Sequence, residues 1–428
     1  MSIVSTMYTG VAGLTAEGDA LGVVGDNIAN SNTVGFKSQR AVFEDMLGRS
    51  MNESGPGAGV RMSSVQQLFT EGALTSTGVS TDLAIGGDGF FVVNGNVNGT
   101  TGTFYSRAGQ FNVDAKGELV NPQGLQVQGY MANKDGTFSP AVSGIKVPTA
   151  SLQPSATTKM NMVANLDATA KPPATPFDVT QAASTSNFSS AIAVTDSLGK
   201  SHNLNVYFEN TAPGQWNYHV VADGGDLAGG AAGTPQEIGS GSFQFGADGT
   251  LTSVTTNTAI SANFANAAPA QAISINFGST TAGGGTGTDG MTQFAAPSSV
   301  ASQGADGYGS GDLTGVSVDG NGVVTGNYSN GQKMAVAQIA VAKFNSNEGL
   351  ARAGQNLWTA DAASGAASLG AAGQGGRGAT TSGTLEGSNV DIASQMVELI
   401  SHQRSFQANS KTITTADEMM QDLVNLKH

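Results

Sequence analysis

The residue types that perform catalysis or bind metals are sparse in this chain and form no recognisable constellation. The 428 residues include no cysteine, which removes disulfide and thiol chemistry. The four histidines lack the spacing of metal ligands and stand at His202, His219, His402 and His428. No serine lies in the G-x-S-x-G motif of a hydrolase nucleophile. We therefore expect no catalytic site, no metal site and no cofactor, and we do not expect an enzyme.

Two glycine-rich segments, 285–290 and 373–378, match the pattern G-x-G-x-x-G. A dinucleotide-binding loop with this pattern opens a helix, and neither segment is expected to do so. The segment 319–322 resembles the start of a calcium-binding loop but lacks the acidic residues that complete one. With 60 glycines in the chain, chance matches are expected. We interpret 319–322 as a hairpin turn.

The composition indicates a β-rich chain whose partners are not polyanions. The net charge is −14, so the chain would repel nucleic acid and anionic membranes. Only 12% of the residues are charged, and small polar residues dominate the middle of the chain, as in turn-rich β structure. The first basic residue is Lys37, and no apolar run is long enough to span a membrane. We therefore expect neither a secretory signal nor membrane insertion.

The C-terminal region, 387–428, has the heptad pattern of a long helix that packs along another helix. Its seam, with steps of four and three residues, is Ile392, Met396, Leu399, Gln403, Phe406, Ser410, Ile413, Asp417, Met420 and Val424. Ser388 is the predicted N-cap, and Asp391 falls in the first turn, where the helix dipole favours negative charge.

The N-terminal region repeats this spacing and is the predicted partner of the C-terminal helix. Its seam is Val4, Met7, Val11, Leu14, Gly18, Leu21, Gly25 and Ile28. A coiled coil between the two termini would bring the chain ends together. The alternative is two amphipathic helices that each dock on a β core.

Five glycines weaken the N-terminal helix, which we expect to be helical only when it is packed. At about 1 kcal/mol each relative to alanine, they remove roughly 5 kcal/mol of helix stability. They are Gly10, Gly13, Gly18, Gly22 and Gly25. The predicted role is a segment that orders on assembly, and the alternative is a mobile terminus.

Strand patterns occupy the middle of the chain, and a change of composition near residue 147 indicates an inserted domain. The expected class is mainly β with α-helical termini. The predicted domains are a terminal helical coiled coil (1–30 and 388–428), an extended linker (31–71), a discontinuous β domain (72–146 and 299–375), an inserted outer β domain (147–298) and a linker (376–387). The glycine-rich segments 50–59 and 362–381 are expected to be flexible connectors.

Short motifs at both ends of the chain resemble those of bacterial flagellar axial proteins, the rod and hook family. The N-terminal motif contains Asn27, Ile28, Ala29, Asn30, Gly35, Phe36 and Lys37, and the C-terminal motif contains Ser388, Asn389, Val390, Asp391, Gln403 and Arg404. The segment 84–92 resembles the hairpin that this family shares. Within the family, 326–332 and 344–358 resemble the hook proteins, as does the presence of an inserted domain.

The resemblance implies a subunit of the flagellar hook, a curved tube that acts as a universal joint and transmits motor torque to the filament. Paired terminal helices would line the tube, with the β domains outside them. The implied partners are further copies of the chain in a helical homopolymer, the rod, hook cap and hook–filament junction proteins, and the type III export apparatus. The implied location is extracellular, in the flagellum, after export without a cleaved signal peptide.

Two other functions fit parts of this pattern. A distal rod protein belongs to the same class but lacks the inserted domain. A secreted β-rich adhesin would use its outer domain as the working site, but paired terminal heptads without a signal peptide argue against it.

Overall fold

The computed structural model describes residues 3–46, 59–133 and 135–425, and side-chain surroundings are described for residues 4–422 of these ranges. The chain is mainly β with one long helix at each end, as predicted. Most of the connector predicted at 50–59 lies outside the described residues. The chain divides into two compact units.

The strands of the first part of the chain follow helix α1 (Ile3–Ala29). They are β1 (Gln39–Asp45), β2 (Val60–Gln67), β3 (Leu74–Ser76), β4 (Leu83–Gly86), β5 (Phe90–Val97), β6 (Thr100–Ser106), β7 (Asn112–Val113), β8 (Leu119–Val120), β9 (Gln126–Ala132) and β10 (Phe138–Gly144). The middle of the chain contains β11 (Lys159–Asn165), β12 (Phe188–Thr195), β13 (Ser201–Ala212), β14 (Gln215–Asp223), β15 (Pro235–Phe245), β16 (Leu251–Thr258), β17 (Ile260–Ala262), β18 (Gln271–Asn276) and β19 (Ser299–Ala305). The last part contains β20 (Leu313–Val318), β21 (Val323–Tyr328), β22 (Lys333–Lys343), β23 (Ala351–Gly354), β24 (Leu357–Thr359), β25 (Ser368–Ala371), β26 (Ala379–Ser382), β27 (Thr384–Glu386) and helix α2 (Ile392–Asn425).

The first unit comprises Met1–Thr149, Gly315–Asn327 and Lys333–His428. Its main sheet has the strand order β20-β21-β22-β9-β5-β6-β24-β23, with β10 beside β9 and β25 beside β22. β5 begins with four buried residues, because an apolar run without alternation suits a strand that is covered on both faces. A hydrophobic cluster on this sheet includes Phe90, Tyr105, Phe344 and Trp358.

Two segments predicted as linkers are regular structure in this unit. The linker expected at 376–387 contains β26 and β27, which pair with β4 and β3. The extended segment expected at 31–71 contains the antiparallel pair β1–β2. The partners of β26 and β27 lie far earlier in the sequence, and a local composition pattern gives no sign of such partners. The connector expected at 362–381 likewise includes β25 and part of β26.

The second unit comprises Ala150–Thr314 and Tyr328–Gln332. It contains a five-stranded sheet, β12-β13-β14-β15-β16, and a four-stranded sheet, β17-β18-β11-β19. One hydrophobic cluster includes residues of both sheets, among them Met160, Phe208, Trp216 and Phe243. The predicted insertion ended at 298, whereas the unit continues to 314 because β19 pairs with β11.

Candidate assembly surface

The two terminal helices lie side by side and antiparallel. A Cβ atom on Gly10, near the start of α1, would lie 2.8 Å from Ile413 Cγ1 in the second half of α2. Near the end of α1, Asn27 Nδ2 donates to Gln395 Oε1 at 2.9 Å, near the start of α2. The predicted pairing of the two chain termini is therefore confirmed.

Small residues of α1 make the contact with α2. The least exposed residues of α1 are Gly10, Gly13, Ala16, Ala20, Val24 and Asn27. A Cβ atom on Gly13 would lie 2.7 Å from Asn409 Nδ2, so the helices approach each other as closely as a glycine allows. Beyond this point, His402 Nδ1 and Glu17 Oε2 lie 2.6 Å apart and join the helices by a polar contact.

The seam predicted for α1 lies beside the buried face of the helix and not at its centre. Most buried residues precede a seam residue by one position, which corresponds to a rotation of about 100°. Val4 and Val11 are 45% and 50% exposed. Half-buried seam residues are Met7, Leu14, Leu21 and Ile28. The prediction placed the contact on the large apolar side chains, whereas the closest approach of the two helices is at Gly10 and Gly13.

The stripe of α2 that faces α1 coincides only partly with its predicted seam. The less exposed residues of α2 are Gln395, Leu399, His402, Ser405, Asn409, Ser410, Ile413 and Ala416. Leu399, Ser410 and Ile413 belong to both sets. Four other seam residues are 36–48% exposed, namely Ile392, Met396, Phe406 and Met420. The side chain of Val424 lies outside the described part of the chain.

Both helices of the pair carry exposed apolar side chains, which we together call the outer apolar surface. They are Val4, Tyr8, Val11, Ile392, Met396, Val397, Ile400, Phe406, Met419 and Met420. The exposed fractions rise to 71% for Tyr8 and 68% for Val397. Exposed apolar side chains in this number on one pair of helices favour a site of association. That the predicted seam mediates self-assembly stays a prediction, and its exposed residues belong to this surface.

The N-cap of α2 is Asp391, not the predicted Ser388. α2 begins at Ile392, and Asp391 Oδ1 accepts hydrogen bonds from Ala393 N at 2.9 Å and Ser394 N at 3.4 Å. Aspartate and serine are both good N-cap residues. Asp391 is the cap because α2 begins at the next residue, Ile392.

Two asparagines of the terminal motifs each bind backbone groups of the segment that follows α1. Asn27 Oδ1 accepts from Gln39 N at 2.8 Å, and Asn27 Nδ2 donates to Gln39 O at 2.6 Å. Asn389 Oδ1 accepts from Ser38 N at 2.7 Å, and Asn389 Nδ2 donates to Leu68 O at 2.8 Å. Motif residues from opposite ends of the chain thus meet beside the helix pair.

A buried ion cluster lies beside these asparagines. Glu386, at the end of β27, is fully buried, and its Oε1 lies 2.6 Å from Lys37 Nζ. Its Oε2 lies 3.4 Å from Arg107 Nη1. Gly72 N also donates to Oε1 at 3.0 Å. Burial lowers the pKa of Lys37, and the Glu386 carboxylate opposes this effect.

Gly35 explains one constraint of the N-terminal motif. Its φ of +69° is one that residues with a Cβ rarely adopt, and a Cβ atom there would lie 2.5 Å from Ala108 N. Its N–H donates to Glu386 O at 2.8 Å, and the next residue, Phe36, is buried. The turn after α1 therefore seats against the sheet only if glycine occupies this position.

Not every motif residue belongs to this cluster. Gln403 and Arg404 are exposed on α2, Ala29 is exposed at the end of α1, and Asn30 donates to Asp26 O at 2.9 Å. Ile28, Ser388 and Val390 are half-buried. The partners Gln39, Thr70, Arg107, Glu386 and Gln395 were not predicted, because these contacts join segments that only folding brings together.

The described residues hold no group of three or more acidic and histidine side chains that is arranged to bind a metal ion. Among the same residues, neither helix has the length and apolar character that a membrane crossing requires.

Family models match four consecutive parts of the chain. Residues 7–37 match the flagella basal body rod protein, and residues 84–163 match the flagellar hook protein FlgE/F/G D1 domain. Residues 165–308 match the flagellar basal body protein FlaE D2 domain, and residues 381–426 match the flagellar basal body rod FlgEFG protein C-terminal.

Curated relatives match nearly the whole chain. It is 38% identical to the flagellar hook protein FlgE of Salmonella typhimurium over 423 residues, which cover 97% of this chain and 98% of that protein. It is 34% identical to the protein of the same name from Borreliella burgdorferi over 451 aligned positions, with 99% of each chain covered. The crystal structure of Helicobacter pylori flagellar hook protein FlgE2 is similar in fold, with a TM-score of 0.51 at 15% identity over 72% of this chain and 98% of that one.

Proposed function

The chain belongs to the bacterial flagellar hook protein family, and we propose that it assembles with copies of itself into the curved tube of a flagellar hook. In that role it transmits torque between motor and filament as a universal joint. It performs no catalysis, and its location is the extracellular flagellum. Similarity to hook proteins along almost its entire length is the premise of this proposal.

The outer apolar surface carries the proposal of self-assembly. Side chains such as Tyr8, Met396 and Val397 stand largely in solvent in the single chain, although both helices already have each other as partners. Burial of apolar surface contributes roughly 25 cal/mol per Å², so contact with further helices would stabilise a polymer. Other copies of the chain can supply these further helices, because each copy carries the same exposed apolar residues.

Other partners follow from the position of a hook in a flagellum. A hook tube ends on the rod at its base, on a cap while it grows, and on junction proteins next to the filament. We propose that the same terminal helices form these contacts and that the type III apparatus exports the subunit without a cleaved signal peptide. A distal rod protein is the second candidate, because 7–37 and 381–426 match rod models. The full-length relatives named as hook proteins favour the hook.

Negative-stain microscopy of the full chain over a concentration series tests the proposal. A hook subunit forms tubes above a threshold concentration. Straight, stiff rods would favour the distal rod protein. Monodisperse particles at all concentrations would contradict self-assembly.

A further inference from the structure

The chain segments next to both helices are held by one buried carboxylate. Lys37 follows the turn after α1, Glu386 precedes α2, and Arg107 follows β6 of the main sheet. The carboxylate of Glu386 contacts both cations, at 2.6 Å and 3.4 Å. Arg107 is further fixed to β4 and the turn that follows it, because its Nη2 donates to Gly87 O at 2.7 Å and its Nη1 to Ile85 O at 3.1 Å.

The backbone around Glu386 adds contacts to the same segments. Glu386 pairs with Leu74 in the β27–β3 ladder, and its carbonyl accepts from Gly35 N at 2.8 Å. Lys37 Nζ donates to Thr70 O at 2.7 Å as well as to the carboxylate. The approach to each helix is therefore tied to strands on both sides of the ion cluster.

We propose that Glu386 is a positioning residue that fixes the orientation of the helix pair relative to the main sheet of the first unit. A free linker at 376–387 would let the helix pair pivot. The ion cluster of Glu386, Lys37 and Arg107, which we call the clamp, prevents this pivoting. Motion of the segment after α1 or the segment before α2 would separate buried opposite charges that water cannot reach. The proposal concerns the single chain and does not depend on tube formation.

The charges explain why this carboxylate is decisive. Two cations share one anion, so removal of Lys37 still leaves the pair of Glu386 and Arg107. Removal of the anion leaves two buried positive charges side by side, with only the exposed carboxylate of Glu71 acting on Lys37. Local opening at the clamp, which restores water to these charges, is then favoured over the closed state.

A distance measurement between two spin labels tests the clamp. The chain has no native cysteine, so Thr100→Cys on β6 and Ala408→Cys on α2, both exposed, give two unique labelling sites. At low protein concentration the parent is expected to give one narrow distance distribution. Glu386→Gln is expected to broaden the distribution to about twice the parent width. Asp88→Asn, which removes an exposed contact of 3.9 Å with Lys343 in the same unit, is the control and leaves the width unchanged.

Thermal melting of the β structure separates positioning from general stability. A folded Glu386→Gln with the parent width, or a broadening equal to that of Asp88→Asn, would overturn the proposal. If Glu386→Gln does not fold, Lys37→Met decides, because methionine removes one buried charge and leaves the Glu386–Arg107 pair. We expect Lys37→Met to keep the cooperative melting of the β structure. It should broaden the distribution less than Glu386→Gln, because the segment after α1 loses its tie to Glu386 while the Glu386–Arg107 pair remains. An unchanged width in this variant would likewise overturn the proposal.

Discussion

Phe406 is 39% exposed on α2, between Leu399 and Ile413 of the half-buried stripe, so part of its ring stands in solvent until another surface covers it. Covering that part contributes about 1 kcal/mol per subunit to assembly. We therefore expect Phe406→Ala to raise the threshold concentration for tubes roughly five-fold. Light scattering over a concentration series measures this threshold.

Gln407→Ala is the matched control, because Gln407 is exposed one position along the same helix. It should leave the threshold where the parent has it. Melting of the β units should be the same in both variants. If Phe406→Ala forms tubes at the same threshold concentration as the parent, Phe406 does not contribute to assembly.

Asp196 and Asp226 of the second unit give its folding a dependence on acid pH. Burial opposes their ionisation, but hydrogen bonds from His202 and, at Asp226, from Lys200 outweigh burial and hold the pKa of each carboxyl below its usual value. His202 Nε2 lies 3.0 Å from Asp196 Oδ2, and His202 Nδ1 lies 3.0 Å from Asp226 Oδ1. The His202 ring stacks on the Phe264 ring, with 4.1 Å between the ring centroids.

Acid should therefore lower the free energy of unfolding of the second unit. A carboxyl whose pKa is depressed by folding stabilises the fold above its unfolded value of about 3.9, and that stability is lost as the pH falls through the folded value. We expect Asp196→Asn to lower the free energy of unfolding by about 2 kcal/mol at pH 7. The melting temperature of the variant should depend less on acid pH than that of the parent. Calorimetry from pH 7 to pH 3 checks this, and parallel pH profiles for parent and variant would contradict it.

The glycines of α1 fall into two groups with opposite expected effects on the helix pair. Gly13 faces Asn409 at a distance that leaves no room for a methyl group, whereas Gly22 has open space around its Cα. Gly22→Ala should stabilise α1 by about 1 kcal/mol and slow its amide exchange in the single chain. Gly13→Ala should speed the exchange, because the Asn409 side chain must leave its place between the helices or the helices must move apart. Exchange that slows in both variants would contradict the packing described here.

At the scale of elements, the sequence predicted the types of structure better than their contacts. Periodicity identified both helices, because their heptads extend over many turns. It placed the contact of α1 on large apolar residues such as Val4 and Val11, while the closest packing uses Gly10 and Gly13. The ion cluster of Glu386 was not predicted, since its partners come from strands far apart in the sequence.

The boundary between the two units determines which deletion leaves a folded remainder. Deleting 150–314 should leave the first unit soluble with a cooperative melting transition, since its main sheet keeps the strands of its core. Deleting the predicted insertion 147–298 keeps β19 but removes its partner β11, and an unpaired strand promotes aggregation. Thermal melting and size-exclusion chromatography compare the two products. Equal behaviour would mean that the pairing of β19 is unimportant.

At the scale of the whole molecule, the order helix, β, inserted β, β, helix was visible in the sequence because each change of period or composition is local. The end of the insertion was placed too early, since the partner of β19 lies in β11, more than a hundred residues earlier. Family motifs supplied the function, because association is a property of exposed surface and leaves no catalytic pattern.

Oxidative footprinting of methionines before and after tube formation tests the central claim, that the outer apolar surface of the helix pair carries self-assembly. Met396 and Met420 are 46% and 36% exposed in the single chain, whereas the core residue Met160 is 1% exposed and serves as the internal reference. We predict that assembly slows the oxidation of Met396 and Met420 several-fold and leaves Met160 slow throughout. Tubes in which both helix methionines oxidise at the rate of the single chain would contradict the account.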